Sequence, residues 1–229
     1  MNANTALFAV WPYLALAVFA VGHVWRWRAD QFGWTTRTSE LTEKRWLVVA
    51  SPIFHTGLLL AIVGHLAGLL IPASVTEAMG ISEAVYHALA VGIGTFAGLL
   101  VVAGLVLLVL RRFIWQTRLR LVTRPGDIVV YVLLGAQIVL GLIETVGYSL
   151  FNLQPGFDYR ASVSVWFRSV FYAHPNVDLI AAAPLVFQIH AVVGFALFAV
   201  WPFSRLVHVW SVPFGYLTRP LIVYRGTTA

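Results

Sequence analysis

The chain has 229 residues, of which 60% are hydrophobic and only 10% are charged, and its mean hydropathy is +0.84. A soluble domain carries about 25% charged residues, so this composition excludes an ordinary soluble protein and indicates an integral membrane protein. The net charge of +6 concerns membrane orientation rather than nucleic acid, and the absence of cysteine excludes an iron–sulfur cluster, c-type haem attachment and disulfides on this chain.

Five apolar stretches follow one another along the chain, and each can supply the about 20 residues that a membrane-crossing helix needs. Continuously apolar runs favour helices over a β-barrel, whose strands alternate in polarity. We therefore predict an all-α integral membrane protein, with a single membrane domain over residues 1–229 folded as a five-helix bundle. The predicted spans are 4–25, 47–71, 85–110, 128–150 and 179–203, with a cytoplasmic tail over 204–229 and a short outer helix over 164–172.

The basic residues predict the orientation of these spans. Five lie in the first connection, five in the third connection and three after the last span, and all of these fall on one side of the membrane. Only Arg160 and Arg168 fall on the other side. The positive-inside rule therefore predicts that the N-terminus lies outside and the C-terminus in the cytoplasm.

Four histidines lie in or beside apolar stretches: His55 and His65 in the second span, and His190 and His208 in and just after the fifth. An imidazole in hydrocarbon needs a partner, and haem iron binds imidazoles in pairs. Antiparallel packing of the two spans pairs His65 with His190 towards the outside and His55 with His208 near the cytoplasm. We therefore predict two bis-histidine b haems; a hydrogen-bonded structural role is the alternative for a single buried histidine.

The spacing of the histidines sets a geometric condition on this pairing. On straight helices His55 and His65 are about 15 Å apart, whereas His190 and His208 are about 27 Å apart. A kink at Pro202, together with helix tilt, is expected to absorb the difference of about 12 Å. Glycines within a turn of the histidines predict places where a flat macrocycle or another helix approaches the backbone: Gly57, Gly64, Gly68 and Gly194.

Three arginines lie at the depth of the predicted inner haem, namely Arg111, Arg112 and Arg205. Haem propionates need positive counter-charges, and Arg205 is three residues before His208 on the same side of a helix. We predict that these arginines contact the propionates. The other basic residues are expected to orient the chain and to contact anionic lipid.

Several short motifs accompany the histidines: Trp11-Pro12-Tyr13, Phe54-His55-x-Gly57, Val63-Gly64-His65, Arg111-Arg112, the run PFSRLVHVWSVP from Pro202 to Pro213, and Tyr216-Leu217-Thr218-Arg219. With these motifs the chain resembles, over nearly its whole length, the gamma subunit of respiratory nitrate reductase, the membrane cytochrome b of that complex. The resemblance implies that His65 and His190 ligate an outer haem, and that His55 and His208 ligate an inner haem.

The resemblance also implies a function, partners and a location. The chain would oxidise quinol, menaquinol or ubiquinol, at the outer side of a bacterial or archaeal cytoplasmic (inner) membrane. Electrons would pass to an iron–sulfur beta subunit and then to a molybdenum-cofactor alpha subunit that reduces nitrate to nitrite in the cytoplasm. Because moving an electron inwards costs about 2.3 kcal/mol per 100 mV of membrane potential, we expect the inner haem to have the higher midpoint potential.

Two further residues are candidates for the quinol and proton site. His87, at the outer end of the third span, could bind a quinol oxygen or accept its proton, or it could be a solvated residue at a helix start. Glu144 is a carboxylate inside a span near its outer end, where it could conduct protons or extend to the interface. The alternative functions are a quinol-oxidising cytochrome b of a different cytoplasmic reductase, and a transporter or anchor without haem.

Overall fold

The computed structural model describes residues 2–35 and 43–211, and within these ranges the chain is helical without any strand. Five of the described helices are long and apolar enough to cross a membrane, which confirms the predicted all-α class and the number of spans. We number them in chain order: α1 Ala3–Ala29, α2 Arg45–Leu70, α3 Glu83–Trp115, α4 Pro125–Leu150 and α5 Leu185–Phe203. The shorter helices are Gln31–Gly33, Ala73–Ala78, Thr117–Leu121, Val163–Phe171, Val177–Ala181 and Arg205–Ser211. The orientation in the membrane stays a prediction.

Two helix boundaries differ by five or more residues from those predicted from hydropathy. Helix α3 continues through Arg111 and Arg112 to Trp115, because both arginines are buried against carboxylates from other parts of the chain. Helix α5 begins at Leu185 rather than at residue 179, because Pro184 has an extended backbone and separates α5 from the short helix Val177–Ala181. Of the predicted tail, residues 204–211 are described, and 212–229 lie outside the described residues.

Helices α2 and α3 pack closely, and two glycines allow the close approach. A Cβ atom at Gly57 would lie 2.7 Å from the backbone nitrogen of Val101, and one at Gly104 would lie 2.5 Å from the backbone nitrogen of Phe54. Small residues of this kind let helix backbones approach each other in a membrane. Helix α5 packs instead against α1 and α4, and α4 also contacts α3.

The surface helix Val163–Phe171 closes the predicted outer end of the bundle. Trp166 is 1% exposed, and its indole Nε1–H donates a hydrogen bond of 2.9 Å to the carbonyl of Phe8 in α1. Two other side chains of this helix satisfy carbonyls of the last, π-helical turn of α2: Ser164 donates to Gly68 and Arg168 to Leu69, both at 2.9 Å. The surface helix therefore ties the end of α2, just after His65, to α1.

At the opposite end, α5 does not continue as a straight helix to His208. The α-helix ends at Val200, and after one 3₁₀ turn Ser204 is extended, with φ −116° and ψ −179°. Arg26 of α1, only 4% exposed, donates hydrogen bonds to the carbonyls of Pro202 at 2.6 Å and Ser204 at 2.9 Å. The break expected at Pro202 is therefore present, and the separation of about 27 Å estimated for one straight helix does not apply to His190 and His208.

Candidate redox site

The structure brings the four histidines together in two facing pairs. The ring centroids of His65 and His190 are 6.0 Å apart and the rings are nearly parallel, with an angle of 9° between their planes. The ring centroids of His55 and His208 are 6.1 Å apart, with an angle of 77°. Each pair joins α2 to the C-terminal part of the chain, as antiparallel packing of the two spans predicted, and the ligation of iron by these pairs stays a prediction.

Three of the four rings are oriented by backbone carbonyls. Nδ1 of His55 lies 2.8 Å from the carbonyl oxygen of Ser51, and Nδ1 of His65 lies 2.7 Å from that of Ala61. Nδ1 of His208 lies 2.7 Å from the carbonyl oxygen of Arg205. Because a carbonyl can only accept, each Nδ1 carries the proton, and each Nε2 has a free lone pair for a metal. A ligand histidine commonly makes such a bond with its other nitrogen.

The distances between the rings fit one metal ion held by each pair. A metal–imidazole bond of about 2.0 Å on each side places the two ring centroids about 6 Å apart. The side chains of His55 and His65 are exposed although they face partner rings, and a Cβ atom at Gly64 would meet nothing within 4 Å. There is thus space beside α2 for a flat macrocycle around the metal. Within residues 2–35 and 43–211, no three His, Asp or Glu side chains are grouped to hold a metal ion.

The other glycines near the histidines contact protein groups. Gly57 faces the backbone of α3, and Gly194 faces the amide of Gln137 in α4. Gly68 faces two tyrosine hydroxyls, those of Tyr159 and Tyr86. Of the four predicted glycines, only Gly64 borders open space. The other three allow close packing against protein groups, which was the alternative to a macrocycle beside the backbone.

His190 differs from the other three histidines in its surroundings. Its Nδ1 makes no hydrogen bond and lies 3.7 Å from Oε1 of Glu144. Both side chains are largely buried, with exposed fractions of 13% for His190 and 16% for Glu144. A Cβ atom at Gly141 would lie 3.2 Å from Cε1 of His190, so the ring rests against the backbone of α4. The structure thus places Glu144 beside a candidate ligand.

The three arginines predicted to contact haem propionates each have a carboxylate partner in the structure. Arg111 donates to Glu43 at 2.5 Å. Arg205 donates to Asp127 at 3.0 Å, and Arg112 lies 3.9 Å from the same carboxylate. Burial acts to raise the pKa of Glu43, but the hydrogen bonds from Arg111 and from the Trp46 backbone outweigh it and hold the pKa below its usual value. Contact of these arginines with propionates stays a prediction.

A polar cluster lies at the predicted outer end, and the sequence argument did not assign Arg160 and Tyr159 to this cluster. The Arg160 guanidinium lies 3.7 Å from the ring centroid of Tyr86 and donates to Glu83 at 2.7 Å. The hydroxyls of Tyr86 and Tyr159 are 3.3 Å apart. His87, the predicted residue in this region, is exposed and makes no ring contact, ion pair or hydrogen bond with the described residues. Arg160 offered a signal, because an arginine in a largely apolar chain needs an acceptor such as Glu83.

Comparison with known proteins identifies the family. The family model described as nitrate reductase gamma subunit matches residues 4–227. The chain is 43% identical over 220 residues to the nitrate reductase gamma chain of Bacillus subtilis, covering 96% of each chain. It is 36% identical over 224 residues to the respiratory nitrate reductase 1 gamma chain of Escherichia coli, covering 97% of each.

A third relative is longer than this chain. The nitrate reductase-like protein NarX of Mycobacterium tuberculosis is 50% identical over 222 residues, which are 96% of this chain. The chain spans about a third of the length of that protein, since the match covers 33% of it. The match of the family model and the two full-length gamma chains confirm the resemblance read from the motifs: the chain belongs to the nitrate reductase gamma subunit family.

Proposed function

We propose that this chain is the membrane cytochrome b subunit of a respiratory nitrate reductase. It holds two b haems, takes electrons from quinol at the predicted outer side, and delivers them to an iron–sulfur beta subunit and a molybdenum-cofactor alpha subunit on the cytoplasmic side. The observation that carries the proposal is the two facing imidazole pairs, at 6.0 and 6.1 Å, in a chain of this family.

The two imidazoles of each pair would bind one haem iron. His65 and His190 hold the iron nearer the predicted outer side, and His55 and His208 hold the iron nearer the cytoplasm. Haem iron bound by two imidazoles supplies one-electron transfer and leaves no position for a substrate. The carbonyls of Ser51, Ala61 and Arg205 fix three of the rings, so that Nε2 rather than Nδ1 is the ligand atom.

Quinol would bind at the cluster of Tyr86 and Tyr159. Their hydroxyls lie against Gly68, three residues after His65, so a quinol there would be close to the outer pair. Burial, together with the hydrogen bond to Tyr86, raises the pKa of Tyr159 above its usual range. This phenol therefore stays protonated and orients a quinol oxygen rather than removing its proton.

The proton from quinol has two candidate acceptors beside this cluster. The Glu83 carboxylate is paired with Arg160, and its side chain is 54% exposed, so it can take a proton and release it to water. His87, the residue predicted from the sequence, is exposed one residue after Tyr86 and stays a candidate acceptor. Both residues are at the predicted outer end, where protons would be released.

The haem content of the purified chain tests the proposal directly. A pyridine haemochrome assay is expected to find two b haems per chain. Replacing His55 or His208 with leucine should remove one haem, and replacing His65 or His190 should remove the other. The matched control is His174→Leu, which changes an exposed histidine in the outer connection and should keep both. Absence of haem in the unmodified chain, or two unaltered haems in any of the four variants, refutes the proposal.

The quinol cluster and the terminal acceptor need a separate experiment on the chain purified with its partner subunits. The double variant Y86F/Y159F should raise KM for quinol while haem content stays at two. The control Y172F changes a tyrosine on the same side that is 76% exposed, and should leave KM unchanged. Quinol-dependent reduction of nitrate supports nitrate as the acceptor; quinol oxidation without nitrate reduction supports the alternative of a different reductase.

A further inference from the structure

Glu144 and His190 form an incomplete hydrogen-bonding pair in the interior of the bundle. Oε1 of Glu144 and both ring nitrogens of His190 are buried and make no hydrogen bond in the described part of the chain. The Nδ1 to Oε1 distance is 3.7 Å, so a movement of about 0.8 Å brings these atoms to hydrogen-bonding distance. A buried donor and acceptor left apart are costly, which favours that contact.

The backbone of α4 places this carboxylate beside the ring. Gly141 lets the edge of His190 rest against the helix, and Glu144 is three residues later, on the same side. Glu144 lies in the π-helical stretch Ile143–Leu150, where the helix register changes. Such stretches are frequent at functional sites. Gly141 thus leaves room for the His190 ring, and Glu144 faces Nδ1, the ring nitrogen that would not bind metal.

We infer that Glu144 is a positioning residue for His190, whose Nδ1–H donates a hydrogen bond to Oε1 and whose Nε2 is thereby directed at His65. This inference rests on the proposed haem ligation. A carboxylate acceptor fixes the ring and makes it a more basic ligand, which stabilises oxidised iron. In the His55–His208 pair, the Nδ1 atoms contact backbone carbonyls and the Ser51 hydroxyl rather than a carboxylate, so the two centres differ in this respect. Glu144 acts through His190 rather than by contact with quinol.

The test compares the haem midpoint potentials of the unmodified chain, E144Q and E144L, purified with the partner subunits, by redox titration followed by optical and EPR spectra. The amide of E144Q keeps an oxygen acceptor without the negative charge, and E144L keeps neither. We expect the potential of the His65–His190 centre to rise from the unmodified chain to E144Q and further to E144L. A tenfold change in its reduction equilibrium corresponds to about 59 mV for one electron.

Two controls test whether the change in potential is specific to the His65–His190 centre. The His55–His208 centre in the same sample should keep its potential. The variant Q137L, two turns earlier on α4, removes a buried amide that contacts Gly194 rather than a histidine, and both centres should keep their potentials. Loss of the His65–His190 centre in E144L with retention in E144Q also supports the inference.

Three results overturn the inference: equal potentials and spectra in all three proteins, equal shifts of both centres, or loss of the His65–His190 centre in E144Q as well as E144L. If the unmodified chain does not contain two haems, the proposed function is refuted rather than this inference. The haem content of the unmodified chain is therefore measured before any variant is made.

Discussion

The contact between Gly104 of α3 and Phe54 of α2 offers a sharp test of the helix packing. In G104A the new Cβ would lie 2.5 Å from the backbone nitrogen of Phe54 and 2.6 Å from its Cα. Backbone atoms cannot rotate away as a side chain can, so the helices must separate by about 1 Å to reach ordinary contact. Overpacking of this kind costs about 1–3 kcal/mol.

A second glycine of α3 provides the matched control. A Cβ atom at Gly92 would meet nothing within 4 Å, so G92A changes the helix propensity without a clash. Alanine is favoured over glycine inside a helix by about 1 kcal/mol, and both variants receive this gain. The difference between them therefore isolates the cost of the clash.

The free energy of unfolding of both variants can be measured in mixed micelles by titration with a denaturing detergent. G104A should unfold about 1–3 kcal/mol more readily than G92A. Because His55 directly follows Phe54, the spectrum of the His55–His208 centre should change in G104A more than that of the other centre. Equal stability of G104A and G92A would refute the close approach of α2 and α3.

Three other predictions concern the end of the bundle opposite the surface helix. The variant R26L removes the donors to the carbonyls at the break before His208, so it should lower the free energy of unfolding by about 2 kcal/mol and weaken haem binding there. The control R28L changes an exposed arginine and should have neither effect. Haem content and unfolding measurements check both variants. Because the pKa of Glu43 is lowered in the folded chain, its contribution to stability is complete at neutral pH and is lost as pH falls below the ordinary carboxyl pKa of about 4.3. The stability difference between the unmodified chain and E43Q, measured by thermal unfolding, should therefore shrink on acidification; a difference that grows would contradict the Arg111 contact. Redox titration should find the higher midpoint potential at the centre nearer the cytoplasm, and the reverse order would contradict inward electron flow.

The sequence predicts most where one physical property dominates. Hydropathy alone located five spans, because every buried backbone group in a bilayer must be satisfied within a helix. The pairing of His65 with His190 followed from antiparallel packing and from the cost of an imidazole in hydrocarbon. Both arguments need only the amino-acid sequence and the low polarity of the lipid bilayer.

Features that depend on contacts between distant segments were not predictable in the same way. The extension of α3 through Arg111 requires Glu43, which lies 68 residues earlier. The break at Pro202 was expected from the sequence, but the hydrogen bonds that Arg26 of the first helix donates to the carbonyls there were not. Glu144 was noticed as a carboxylate in a span, but its neighbour His190 lies on a different helix.

Each histidine pair joins the second membrane crossing to the last crossing or to the segment just after it, and this has a consequence for biogenesis. Neither pair exists while only the first four crossings have entered the bilayer, since His190 and His208 are synthesised after those crossings. On the proposed ligation, haem therefore binds only after α5 and the segment that carries His208 are in place. A truncated chain ending before α5 would contain one histidine of each pair and is expected to retain no haem.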